Sequence, residues 1–245
     1  MKLNHSVRVL IVDDDEDIRA NFSDILDDLG FTVTTACDAE AALAQVRRAT
    51  FDVALLDFKM PGMDGASLYE EIKKICPSIA AIMITAWAGN DGLQRAIDAG
   101  TWDVLRKPVD IPKLLKTLEA VVAAPIVLVV DDDRSFCDSL WQVLNERGFR
   151  VALAHSEEDG MRQIRSSGCD VAIVDVNLGA GDGRKVIQTL SEIRPGTRAV
   201  VVSGCPKTAD EVYEQFGDSA VSAVCAKPVD VDRLLLSLRR SAPSR

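Results

Sequence analysis

The stretch VLVVDDDRSF, residues 127–136, sets four apolar residues, Val127 to Val130, directly against three acids, Asp131, Asp132 and Asp133. A short Val-rich run without alternation reads as a strand buried on both faces. Two carboxylates about 5 Å apart repel by about 3 kcal/mol at an effective dielectric near 20. A buried strand ending in such a cluster implies solvated acids or a compensating cation.

The same words occur earlier, as VLIVDDDEDI at 9–18, with Asp13 matching Asp131 at an offset of 118. At that offset Gly30-Phe31 meets Gly148-Phe149, FDVALLD at 51–57 meets CDVAIVD at 169–175, and Asp57 meets Asp175. Asp64-Gly65 meets Asp182-Gly183, and Thr85 meets Ser203. Lys107-Pro108-Val109-Asp110 then matches Lys227-Pro228-Val229-Asp230 at an offset of 120, so the second copy carries two extra residues in between. The repeat is too long for a solenoid unit and suits a whole small domain. Two homologous domains are expected, residues 1–123 and 124–245.

The chain has 245 residues and a net charge of −10, from 38 acids against 28 bases. That balance disfavours a nucleic-acid surface, which needs a basic face. The late arginines Arg233, Arg239, Arg240 and Arg245 read as decoration of a last helix. The six cysteines show no C-x-x-C spacing, and free thiols in a cytoplasmic protein is the expectation. Arg8 interrupts the N-terminal apolar stretch, so no signal peptide is read, and no membrane-spanning run appears. His5 and His155 are isolated in sequence and predict no histidine metal site.

Within the first copy, strands are expected at about 7–12, 31–35, 52–56, 80–84 and 102–105. Ile18, Phe22, Ile25, Leu26 and Leu29 form a helical stripe between the first two. Ile111, Leu114, Leu115, Leu118, Val121 and Val122 form another, capped by Asp110 and ended by Pro125. Five such units imply a parallel sheet with helices on both faces, and function at the carboxyl ends of the strands. Asp13, Asp14, Asp57, Thr85 and Lys107 all fall there, as do Asp131, Asp132, Asp175, Ser203 and Lys227.

The order of these residues resembles the receiver domain of two-component response regulators, twice over nearly the whole chain. The residues that carry the resemblance are the acid pair after the first strand, the lone Asp ahead of MPGMDG, the Thr or Ser after the fourth strand, and Lys-Pro after the fifth. The resemblance implies an α/β fold: two flavodoxin-like (βα)5 domains, each a five-stranded parallel sheet of order 2-1-3-4-5. It implies Asp57 and Asp175 as acceptors of a phosphoryl group from phosphohistidine, with Thr85, Ser203, Lys107 and Lys227 assisting. It implies Mg²⁺ held by Asp13, Asp14, Asp57 and the Lys59 carbonyl, and in the second copy by Asp131, Asp132, Asp175 and the Asn177 carbonyl. The implied partners are a histidine kinase or histidine phosphotransfer protein and a downstream protein target. A homodimer is left open, and neither a membrane nor direct nucleic acid is expected as a partner. Such a protein is a phosphoacceptor in signalling and not a turnover enzyme.

Taken singly, each residue has a plainer reading. An Asp at a strand end forms turns or caps helices, and Asp15 and Asp133 read as caps of the first helix in each copy. Asp64-Gly65 and Asp182-Gly183 read as the start of the third helix. Joint recurrence at one rim in two copies is what favours chemistry for the other five. Departures are also visible. The aromatic residue that many receivers carry three before the lysine is Val104 or Val224 here, which places the report of phosphorylation on the loop holding Trp87 or Cys205. Replacement of KMPGMDG by NLGAGDG should loosen the loop after Asp175, since Pro61 has no counterpart. A haloacid-dehalogenase-type phosphatase is the enzymatic rival, but of Asp17 and Ser135, which follow the two acid triplets, only Ser135 carries the hydroxyl that family places there, and no acidic pair follows Lys107. A non-phosphorylated dimerisation module is the other. Only one helix follows Lys227, so no output domain is visible.

Overall fold

The apolar runs become strands in the computed structural model, which describes residues 7–86 and 90–241. The chain divides into two compact units, Met1–Ala124 and Pro125–Arg245. The first runs β1 (Arg8–Val12), α1 (Glu16–Asp28), β2 (Thr32–Ala36), α2 (Ala39–Arg48), β3 (Val53–Asp57), α3 (Gly65–Ile75), β4 (Ala80–Thr85), α4 (Asn90–Asp98), β5 (Asp103–Arg106) and α5 (Ile111–Ala123). Its five strands are parallel, in the order β2-β1-β3-β4-β5.

The second runs β6 (Ile126–Val130), α6 (Arg134–Glu146), β7 (Arg150–Ala154), α7 (Glu157–Ser166), β8 (Val171–Asp175), β9 (Asn177–Leu178), β10 (Gly181–Asp182), α8 (Gly183–Ile193), β11 (Arg198–Ser203), α9 (Pro206–Ala220), β12 (Val221–Ala226) and α10 (Val231–Ser241). The order β7-β6-β8-β11-β12 repeats that of the first unit, strand for strand. Among the described residues no helix is long and apolar enough to cross a membrane.

Each sheet is apolar on both faces because side chains alternate along a strand. In the first unit Leu10, Val12, Ala54, Leu56, Ala81 and Met83 share a core with α2 and α3. Their neighbours Val9, Ile11, Val53, Leu55, Ile82 and Ile84 share another with Phe22 and Leu26 of α1 and Leu114, Leu118 and Val121 of α5. The central strands are covered twice, which forces every charged group of β1, β3 and β4 to their ends.

The caps follow the expected chemistry. Asp15, Asp64, Asp110, Asp133 and Asp182 each accept a backbone N–H of the helix that follows. The repeated Gly-Phe is a helix stop. Gly30 and Gly148 have φ of 87° and 80°, and the following Phe N–H returns to Leu26 or Leu144.

Two differences separate the units. The loop after Asp175 is not loosened by the loss of proline. It folds into the antiparallel pair β9–β10, with Glu157 Oε2 accepting the Asp182 N–H at 2.9 Å. The two extra residues of the second copy accompany a longer last strand: β12 spans six residues where β5 spans four, and its register slips by one residue at a bulge opposite Ala199 and Val200. Trp87 lies outside the described residues.

Candidate functional site

At the end of β1 the chain still belongs to the sheet, since the Asp13 N–H bonds Ala36 O. Its carboxylate then turns back. Oδ1 accepts the Asp15 N–H at 3.0 Å and Oδ2 accepts Lys107 Nζ at 2.7 Å. The turn leaves Asp13 buried and Asp14 exposed. Asp131 repeats this, with the Asp133 N–H at 3.0 Å and Lys227 at 2.7 Å.

Asp57 ends β3, the neighbouring strand, and register brings it to the same rim. One carboxylate oxygen from each of Asp13, Asp14 and Asp57 lies within 4.8 Å of the others, and Asp131, Asp132 and Asp175 form the matching group. Lys107 stands 3.3 Å from Asp57, and its own N–H bonds Thr85 O, so β5 delivers the lysine beside the end of β4. The peptide that follows each lysine is cis, at Lys107-Pro108 and Lys227-Pro228. Lys59 and Asn177, two residues past the acceptor positions, are exposed.

Glycine in the Asp-Gly pair has a steric cause. A Cβ on Gly65 would collide with the Asp57 carbonyl oxygen, and one on Gly183 with the Asp175 carbonyl oxygen. The loop closes on the acceptor's own backbone, with the Gly65 N–H on Phe58 O and the Gly183 N–H on Val176 O. The identical pair in both copies was a usable sequence signal for this contact.

The electrostatics oppose the fold. Three carboxylates against one ammonium leave an excess of two negative charges per rim. Burial pushes Asp57 above the usual carboxylate range; Lys107 opposes this, and Asp13 and Asp14 add to it. Burial raises Asp131 as well, against Lys227. For Lys107 burial is the largest influence and pulls downward, but the hydrogen bond to Asp13 and the charges of Asp57 and Asp13 outweigh it and raise the lysine. Lys227 is raised in the same way by Asp131 and Asp175. The ammonium groups therefore keep their protons.

Thr85 and Ser203 are buried at the ends of β4 and β11. The Ser203 hydroxyl is engaged locally, donating to Cys205 O and accepting the Cys205 N–H, both at 3.1 Å. Around the second rim, Cys137 Sγ donates to Asp131 O at 3.3 Å, and burial pushes its thiol up to about 12. His155 Nδ1 lies 3.4 Å from the same carbonyl oxygen, a contact its isolation in sequence did not foretell. All six cysteines are free.

The donor set fits a hard divalent cation. All three side chains in each group are carboxylates, one exposed and two buried, with an uncompensated negative charge.

Comparison with known proteins agrees on one family. The profile of the response regulator receiver domain matches residues 9–119 and again 127–239. A response regulator receiver protein of Anaeromyxobacter sp. is 34% identical over 235 residues, covering 95% of this chain and 94% of that protein. The transcriptional regulatory protein ZraR of Salmonella typhimurium is 37% identical over 117 residues, 48% of this chain but 26% of its own length. Among solved structures, chemotaxis protein CheY4 of Vibrio cholerae is 34% identical, with 48% of this chain and 99% of that chain covered and a TM-score of 0.46.

Proposed function

The chain belongs to the response regulator receiver family, with two receiver domains in tandem, and we propose that both take a phosphoryl group on aspartate, at Asp57 and Asp175. The observation that carries the proposal is the repeated group of three carboxylates with a protonated lysine across it.

An oxygen of the Asp57 carboxylate attacks the phosphorus of a phosphohistidine. The O–P bond forms, the P–N bond breaks, and its electron pair stays on the imidazole nitrogen. Lys107 keeps its proton and lends charge to the transferring oxygens, which is most of what phosphoryl transfer asks of a protein. Asp13 holds Lys107 in place. Thr85 or Ser203 supplies a hydroxyl to the phosphoryl group once it is attached. Asp13, Asp14 and Asp57 would hold Mg²⁺ with the Lys59 carbonyl, and Asp131, Asp132 and Asp175 would do so with that of Asn177. Bound there, Mg²⁺ supplies the positive charge that the lysine alone does not.

The proposed donors are a histidine kinase or a histidine phosphotransfer protein, and the proposed reader is a downstream protein. A net charge of −10 supports protein over nucleic acid as the contact, and free cysteines support a cytoplasmic compartment. Both rims are complete, which supports phosphorylation of each over a unit kept for dimerisation alone. The test is uptake from acetyl phosphate. Acid-labile phosphate should appear with Mg²⁺ and vanish with a chelator; uptake that ignores the chelator would refute the metal's part.

A further inference from the structure

Lys227 is held differently from Lys107. Its Nζ lies 2.7 Å from Asp131 Oδ2, 2.6 Å from Asp175 Oδ2 and 4.7 Å from the centroid of the Phe136 ring. The other oxygen of Asp175, Oδ1, accepts the Asn177 N–H at 2.9 Å. Both acceptor oxygens are therefore engaged. In the first receiver Ile18 occupies the position of Phe136 and offers no π face. There Arg19 donates to Asp13 O at 2.6 Å, where the second receiver has the Cys137 thiol. The second rim has a thiol in place of the guanidinium and a ring in place of the isoleucine, and its lysine is gathered between that ring and two carboxylates. A half-buried cation over an aromatic face is attracted by the ring quadrupole.

We propose that Phe136 is a positioning residue that pins Lys227 across Asp131 and Asp175, making the second receiver the slower of the two to take a phosphoryl group. This rests on the reading of Asp175 as an acceptor. A carboxylate oxygen that attacks phosphorus gives up its hydrogen bond to the lysine, and a pinned lysine resists that exchange. With acetyl phosphate, the Asp175 O–P bond forms and the bond from phosphorus to the acetyl oxygen breaks. Its electron pair leaves with acetate, and Lys227 keeps its proton throughout.

The test uses the full chain carrying Asp57→Asn, so that Asp175 is the remaining acceptor, with acetyl phosphate and Mg²⁺. Loading is followed by intact mass with and without Phe136→Ile. Phe136→Leu is run beside it to check a second ringless side chain of different shape. Removing the ring should speed loading about fivefold, the size of a partly exposed cation–π contact. The converse, Ile18→Phe in an Asp175→Asn chain, should slow the first receiver. A second readout needs no phosphate: in the metal-free chain the ring should shift one lysine ε-methylene signal upfield, and Phe136→Ile should abolish the shift. An absent shift, or equal loading rates with and without the ring, overturns the inference. Absence of any loading on Asp175 in every variant overturns the acceptor reading of this receiver and the inference with it.

Discussion

Lys107 stands 2.7 Å from Asp13 and 3.3 Å from Asp57, whereas Lys227 stands 2.7 Å from Asp131 and 2.6 Å from Asp175. The loops over the two rims differ as well. A Cβ on Gly62 would meet open space, while one on Gly179 would press on the Asp132 carboxylate. In the second rim the lysine stands at short range from both carboxylates, and a hairpin is tied to α7 through Glu157. The same five polar residues are therefore copied without copying their contacts. What sets the contacts is the neighbours: Ile18 or Phe136, Arg19 or Cys137, a Pro-Gly turn or a hairpin.

The largest effect should come from the Asp-Gly glycines. Gly65→Val and Gly183→Val push a side chain into the acceptor's own backbone and should cost about 4 kcal/mol or more. Gly183 is the harsher case, because its added atoms meet only the Asp175 and Val176 backbone, whereas at Gly65 the Met83 side chain can move aside in part. Urea melts of each variant check this, and equal losses would remove the steric side of the comparison.

Next come the lysines. Lys227→Ala strips the partner from two buried carboxylates and should cost about 3 kcal/mol, the scale of a broken buried pair. Lys107→Ala should cost less, since its second contact is longer. Thermal melts in chelator and in Mg²⁺ should show the cation recovering part of each loss. A greater loss at Lys107 would reverse the ranking.

The smallest effect concerns pH. Asp57 in the first receiver and Asp131 in the second are raised above 3.8, with burial as the main cause. The folded chain then holds more protons than the unfolded chain just above pH 3.8, so these groups lower stability as pH climbs from there through the folded value. The slope is at most about 1.4 kcal/mol per pH unit for each group. In metal-free buffer Asp57→Asn should flatten it for the first receiver and Asp131→Asn for the second. The raised lysines act at the other end, giving stability that is whole below 10.5 and lost above it. A metal-free stability curve unchanged by both substitutions would contradict the assignment of charge strain to these acids.

The repeat, the strand ends and the helix stripes were legible because each depends on local pattern: unbroken apolar runs, Asp at caps, Gly where φ is positive. The convergence of Asp13, Asp14 and Asp57 was legible because parallel βα units place strand ends on one rim. The hairpin β9–β10 was not, since its tether is Glu157, 25 positions before Asp182, and no local signal announces it. The Lys227–Phe136 contact joins residues from α6 and the end of β12, and only the fold brings them together. The Ser203 hydroxyl turns onto the Cys205 backbone, a local turn that the sequence does not announce.

The central claim is two acceptors in one chain, and counting phosphoryl groups tests it most directly. Intact mass after acetyl phosphate and Mg²⁺ should show two added groups in the natural chain, one in Asp57→Asn, one in Asp175→Asn and none in the double variant. A double variant that still carries an acid-labile group on aspartate, or a natural chain that never exceeds one, would contradict the account.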